Sequence, residues 1–274
     1  VAVAPGVRRV TAANPGPMTF TGTGTFIVGH RAVAVIDPGP DDPAHLAALL
    51  AALDGRTVTH IVVTHTHRDH SPLARALKAA TGAPIVGCAR HATAPGAGGE
   101  GADHDHAPDQ CLMDGEAVSG PGWTLRAVAS PGHTANHLAF ALPEAGVLFS
   151  GDAVMAWNTT VVSPPDGDMA ACFATLARLG GQGAARFLPT HGPAVEDPAA
   201  WCAALLAHRR AREAQVLAAL GDAPVAVEAL VAALYPGLDA RVLGAAARSV
   251  LAHLLKLAGE GRARAGEGGW RATA

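Results

Sequence analysis

Apolar residues in this chain come in short runs set off by glycine and proline. The segments "TFTGTGTFIVG" (19–29) and "RAVAVIDPG" (31–39) are β-rich and punctuated by glycine, and they predict a hairpin. Asp42-Pro43 puts an N-cap residue before a proline at the first helical position and predicts a helix to about Leu53. The strand "VTHIVVTH" (58–65) follows. Ser71-Pro72 repeats the start signal and predicts a helix to about Ala80; Asp197-Pro198 repeats it again, opening a helix over 199–220. Residues 92–110 form an irregular Gly-rich excursion. Residues 124–155 read as three short strands separated by turns, and there is no internal repeat. The longest apolar runs, such as Ala48 to Leu53, fall far short of the roughly 20 residues that span a bilayer.

Composition narrows the class. With 49% hydrophobic and 16% charged residues over 274 positions, the chain is globular and can bury a sizeable core. No basic, apolar and small-residue succession marks its N-terminal stretch, so a cytoplasmic protein without a membrane partner is the expectation. Cys88, Cys111, Cys172 and Cys202 lie far apart with no C-x-x-C pair, which predicts reduced thiols rather than a disulfide frame or zinc knuckle. The net charge of −3 hides an asymmetry: residues 201–274 carry 9 basic and 6 acidic side chains, enough to contact an anion but no polybasic arm.

Candidate chemistry concentrates in "THTHRDH" (64–70), on a strand-to-helix loop at a strand's C-terminal end, where α/β proteins build their sites. His65 and His67 are two apart on an extended segment, so both rings point to one side and can grip one metal. Asp69 and His70 follow where the chain turns, and can face a second ion. Four residues cannot complete two metal spheres, so companions are expected. They are found in "SPGHTANH" (His133), "LFSGDAV" (Asp152) and "LPTHGP" (His191), each an apolar run followed by a small turn residue and a ligand type.

The ordered set H-x-H-x-D-H, H, D, H resembles the metallo-β-lactamase superfamily. That resemblance implies an α/β fold, a four-layer αβ/βα sandwich with a binuclear site between its sheets. It assigns His65, His67 and His133 to one zinc ion, Asp69, His70 and His191 to a second, and Asp152 to a bridge between them. An imidazole and carboxylate set suits two Zn²⁺ and leaves manganese or iron compatible. Asp69 and Asp152 are then catalytic, and His137, four past His133, is a candidate proton donor to the leaving group; the competing reading makes it structural. Asp37 is read either as a support for a ligand histidine or as a turn cap. His104 and His106 read as a solvated loop, and Met155 and Trp157 as residues of the cleft mouth or of the core.

"NPGPMTFTGTGTFIVG", "VIDPGP", "PGHTANHLAF" and "GDAVMAWNTTVV" are similar to the branch of the β-lactamase-like protein 2 endoribonuclease, which appends a C-terminal winged helix. Helical patterns at 226–236 and 238–261 and a closing "RARAGEGGWRAT" ribbon fit that module, giving a catalytic domain over 1–199 and a winged-helix-like domain over 200–274. Gly24 and Thr190 depart from the branch's pattern, where asparagine and glycine are favoured. The resemblance implies single-stranded RNA as substrate. A glyoxalase-type thioester or another small ester or lactone is the alternative, followed by a β-lactam and by a nucleic-acid-binding regulator. The charge pattern over 238–257 favours a dimerising or cleft-covering module over a DNA reader, because Arg241, Arg248, His253 and Lys256 are opposed by Asp239.

Overall fold

The computed structural model describes residues 1–96 and 101–273. Strands β1 (Ala2–Ala4), β2 (Val7–Thr11), β3 (Gly24–Gly29) and β4 (Ala32–Ile36) form an antiparallel meander. Helix α1 (Pro43–Leu53) then crosses to β5 (Thr57–Val63), and α2 (Leu73–Thr81) to β6 (Ile85–Gly87) and β7 (Gln110–Cys111), which extend the same sheet in parallel. A second sheet holds β8 (Ala117–Gly120), β9 (Trp123–Ala129), β10 (Leu138–Leu142), β11 (Val147–Gly151) and, after α3 (Met169–Gly180), β12 (Arg186–Pro189) in the order β12-β11-β10-β9-β8.

The two sheets stack face to face. Phe26 of β3 and Phe149 of β11 meet across the interior with ring centroids 5.0 Å apart, amid buried Ile36, Ile61, Leu125 and Phe140. The other face of the second sheet is covered by α3 and by α4 (Pro198–Ala218), through Leu148, Phe187, Leu176, Cys202 and Leu205. With α1 and α2 outside the first sheet, this is the four-layer sandwich that the family resemblance implies. Burial on both faces explains why "AVAVI" and "IVV" are continuous apolar runs without alternation.

The start signals act as expected at two of three helices. Asp42 accepts a hydrogen bond from the Ala44 amide, and Asp197 from that of Ala200. Ser71 does not cap α2, because its hydroxyl donates instead to Asp103 Oδ2 at 2.6 Å. The hairpin is shorter than its β-rich composition predicts. Residues 19–23 form a turn with Phe20 at φ 56° and Gly22 at φ 125°, pinned where Asn14 bonds both the amide and the hydroxyl of Thr23.

Past Ala218 come α5 (Val227–Leu234), α6 (Leu243–Gly259) and the ribbon β13 (Ala263–Gly266) and β14 (Gly269–Ala272), the helices and wing of a winged helix. They share a small core of Val216, Leu230, Val250, Leu254 and Leu257. The stretch 240–259 is long and apolar enough to cross a membrane by length and composition; here its buried residues face that core and α3.

Candidate metal centre

The strand ends that carry the candidate residues lie together along one edge of the sandwich. The segment 64–70 leaves β5, His133 sits between β9 and β10, Asp152 follows β11, and His191 follows β12. The parallel pair β11–β12 brings the last two loops side by side, and the stacking of the sheets places them opposite the first.

His67 Nδ1 stands 3.1 Å from His65 Nε2 and 3.0 Å from His133 Nε2, so three ring nitrogens converge on one point. Asp69 Oδ2 lies 3.4 Å from His70 Nε2 and 3.0 Å from His191 Nε2, forming a second group. Asp152 Oδ2 stands between them, 3.6 Å from His133 Nε2 and 3.5 Å from both His70 Nε2 and His191 Nε2. Thus the structure brings all seven predicted ligand residues together, in trios that could each hold an ion.

Buried atoms in the cluster lack partners. His70 Nε2 and Asp152 Oδ1 are enclosed with no hydrogen bond, a costly state unless something else is bound. Charges in the cluster agree. Burial opposes ionisation of His191, yet Asp152 and Asp69 carry it up to about 9. Burial alone would raise the Asp152 carboxyl, but His191 and His70 hold it well below the usual carboxylate range. Burial, with His133 adjacent, pushes His67 down to about 3. The cluster therefore offers neutral imidazoles and anionic carboxylates, with protons on His70 and His191 standing where divalent cations would bind and displace them. The donor set fits divalent metal ions.

The outer contacts settle Asp37. At the end of β4, with φ 48°, it is fully buried and takes four hydrogen bonds. These come from His70 Nδ1 at 2.9 Å, the Thr64 amide and hydroxyl at 2.8 Å each, and the Thr190 hydroxyl at 3.1 Å. It orients the His70 ring and ties two of the site loops, 64–70 and the one carrying His191, to the end of β4. His133 Nδ1 similarly faces the Val161 carbonyl at 2.7 Å, fixing which nitrogen points inward.

His137 has a different place from the one expected of a proton donor. Its Nε2 accepts from the Asp152 amide at 3.1 Å, so Nδ1 carries the proton and faces the Ser130 hydroxyl at 2.7 Å. Burial, ahead of His133, pushes its pKa to about 3. A neutral ring with both nitrogens engaged has no proton for a substrate; His137 positions the Asp152 loop. The His104/His106 expectation also fails: His106 is buried against Cys88, and His104 packs on His91 with centroids 5.0 Å apart.

Sequence reasoning passed over Arg9. Its guanidinium lies across Gly24, where a Cβ would come within 2.1 Å of Nε, and donates to the carbonyls of Thr190 and Gly192 on either side of His191. The departure at Gly24 thus leaves room for an arginine that holds the loop carrying His191, while the Thr190 hydroxyl donates to Asp37. His91 and Asp166 were likewise missed. They line the cavity beside the cluster, with His91 Nδ1 2.8 Å from the Thr66 hydroxyl. Nothing in their sequence neighbourhood signals this, since only the fold brings 91 and 166 together. The cavity, about 370 Å³, opens above the His/Asp cluster and has Met18, Met155 and Val161 as apolar walls.

Comparison with known proteins gives this architecture its family. Residues 19–191 match the metallo-beta-lactamase superfamily model, and residues 226–270 match the beta-lactamase associated winged helix domain. The chain belongs to the metallo-beta-lactamase superfamily. Among curated proteins it is similar to the lactamase-like protein adaB of Aspergillus niger, 32% identical over 217 residues, 78% of this chain. The match spans 63% of that relative's length. A beta-lactamase-like protein 2 homolog of Caenorhabditis elegans is 30% identical over 224 residues, covering 79% of this chain and 71% of its own. An atrochrysone carboxyl ACP thioesterase of Aspergillus chevalieri is 32% identical over 224 residues, covering 80% and 67%. In structure, a metallo-beta-lactamase family protein from Thermus thermophilus superimposes on 99% of this chain and 100% of its own, with TM-score 0.82 and 26% identity.

Proposed function

We propose that the cluster holds two divalent ions, zinc by its donor chemistry, and that the protein hydrolyses thioesters. His65, His67 and His133 would hold one ion, Asp69, His70 and His191 the other, with Asp152 shared. The observation that carries the dinuclear reading is the placement of Asp152 Oδ2 at 3.5–3.6 Å from ring nitrogens of both groups. Bound there, the pair would supply Lewis acidity and a water acidified to about pKa 7.

The remaining residues set the conditions for acyl transfer. Asp37 and the Val161 carbonyl fix the rings of His70 and His133, so the ligand geometry is preorganised. Met18, Met155 and Val161 narrow the cavity and exclude bulk water from the acyl carbon. A thiol leaves as its thiolate, with a pKa of about 8.5, and needs no dedicated acid; His137 offers none. The likeness to a protein named as an acyl-carrier thioesterase supports the same substrate class. Four free cysteines suit a cytoplasmic setting, where such esters are made.

Hydrolysis of single-stranded RNA is the second reading. Phe20 stacked on Trp157 at 5.1 Å, beside Trp201, offers aromatic faces on which bases could lie. A net charge of −3 weighs against it. Steady-state assays of one metal-replete preparation against aryl-acyl thioesters, lactones, β-lactams and single-stranded RNA test the reading. Thioester turnover that a chelator abolishes is expected; RNA cleavage with inert thioesters would overturn it.

A further inference from the structure

A larger cavity, about 550 Å³, lies between the sandwich and the winged helix, and it adjoins the cavity over the metal cluster through Met18 and Val161. Its walls are unlike those of a solvent-filled seam. Trp157, Trp201 and Tyr235 supply aromatic surface, and Leu238 and Val242 complete an apolar side. Among the described residues, the charged or titratable side chains on it besides Tyr235 are His208, Arg209 and Arg212, and no carboxylate lines it.

The arginines are not neutralised by their surroundings. Arg209 is 5% exposed, and its hydrogen bond goes to the Thr160 carbonyl. Among the described residues it has no ion pair. Arg212 donates Nη1 to the Leu234 carbonyl at 3.1 Å and lies over the Tyr235 ring at 4.1 Å, while its Nε is buried without an acceptor. Glu213, the acid on the same helix, bonds Lys256 through Oε1 at 2.9 Å and turns Oε2 toward His253 at 3.5 Å, and among the described residues it makes no ion pair with either arginine. A buried guanidinium without a counter-charge is costly, which makes the cavity a place where an anion is stabilised.

We propose that this cavity is a substrate subsite for an apolar or aromatic arm that ends in an anionic group, carboxylate or phosphate, with the scissile bond held over the metal cluster next door. The arm lies along Trp157, Trp201 and Tyr235, and its charge meets Arg212 and Arg209. The inference rests on the hydrolase reading for the direction of the arm, but not for the existence of the site. The positive field there is independently visible at His253 and His208. Burial first, then Arg209 and other cations, lowers the pKa of each.

Calorimetric titration of the full metal-replete chain with 2-naphthoate, 2-naphthyl phosphate and uncharged 2-naphthalenemethanol tests it without any turnover. Either anion should bind at least about tenfold more tightly than the alcohol, the scale of a charge-assisted contact. Which anion binds better tells an acidic acyl arm from a phosphorylated thiol arm. Arg212→Gln should remove that preference and leave the alcohol's affinity unchanged, whereas Asp152→Asn, which disturbs the metal cluster, should retain it. Equal binding of alcohol and anions, or anion binding lost with Asp152→Asn and untouched by Arg212→Gln, would overturn the proposal. If the site is confirmed while thioesters stay inert, only the reaction assigned to the neighbouring cavity fails.

Discussion

At the residue scale, the site depends on a few side chains with no alternative. Asp152 is the carboxylate within reach of both trios, so Asp152→Ala should leave a folded chain that binds at least one ion fewer than the roughly two expected of wild type. Metal analysis with circular dichroism reads both quantities. One ion at most in zinc-saturated wild type would end the dinuclear proposal. Asp37→Ala would remove four hydrogen bonds and free the His70 ring. Loss of such an orienting partner weakens metal affinity by about 10- to 100-fold, measurable by competition with a chelating dye. His137→Ala should slow every substrate alike and lower metal content, since it withdraws the acceptor that holds the Asp152 amide. A selective loss on substrates with poor leaving groups, with metals intact, would restore the proton-donor role.

At the element scale, α6 is docked through a buried histidine. His253 on α6 meets Phe173 of α3 edge-on at 6.2 Å. Burial first, then Arg209, Lys256 and Arg212, pushes it to about 3, although Glu213 Oε2 stands 3.5 Å away. Since the folded pKa lies below the value of about 6.5 in the unfolded chain, the neutral ring's contribution is intact above about pH 6.5. It is lost as pH falls from about 6.5 toward 3. His253→Gln should therefore show a smaller drop in urea midpoint between neutral and mildly acidic pH than wild type. An identical drop would mean that other groups set the acid response.

On the scale of the whole molecule, α4 belongs to the sandwich as much as to the winged helix. Its Cys202 and Leu205 complete the core over the second sheet, and Trp201 donates to the Met155 carbonyl at 2.9 Å beside the metal cavity. A chain ending before Pro198 would expose Leu176, Leu179 and Phe187 to water. It should aggregate or change its mass in size-exclusion chromatography. A soluble, monodisperse truncation with unaltered activity would show the module to be an appendage.

How much of this was legible beforehand depends on the range of each interaction. Helix starts at Asp42 and Asp197, the buried strands and the ligand spacing could be read directly, because caps, apolar runs and the i, i+2 pairing of His65 with His67 act within a few residues. Asp37 stayed ambiguous until β4 was set beside β5, since a strand-end aspartate caps a turn or supports a ligand with the same local sequence. His137 misled for the opposite reason. Its spacing from His133 suggests shared duty, but the β10–β11 pairing turns its Nε2 onto the Asp152 amide. Arg9 lies far along the chain from the carbonyls it holds at Thr190 and Gly192, and the cavity lined by Arg209 and Trp157 exists only where two modules meet. Local chemistry, namely ligand types, their order and the elements that carry them, was thus determined by the sequence itself. Which nitrogen faces a metal, which acid supports it and where a second ligand could lie were decided by tertiary contacts, because burial and hydrogen-bond partners come from residues distant along the chain.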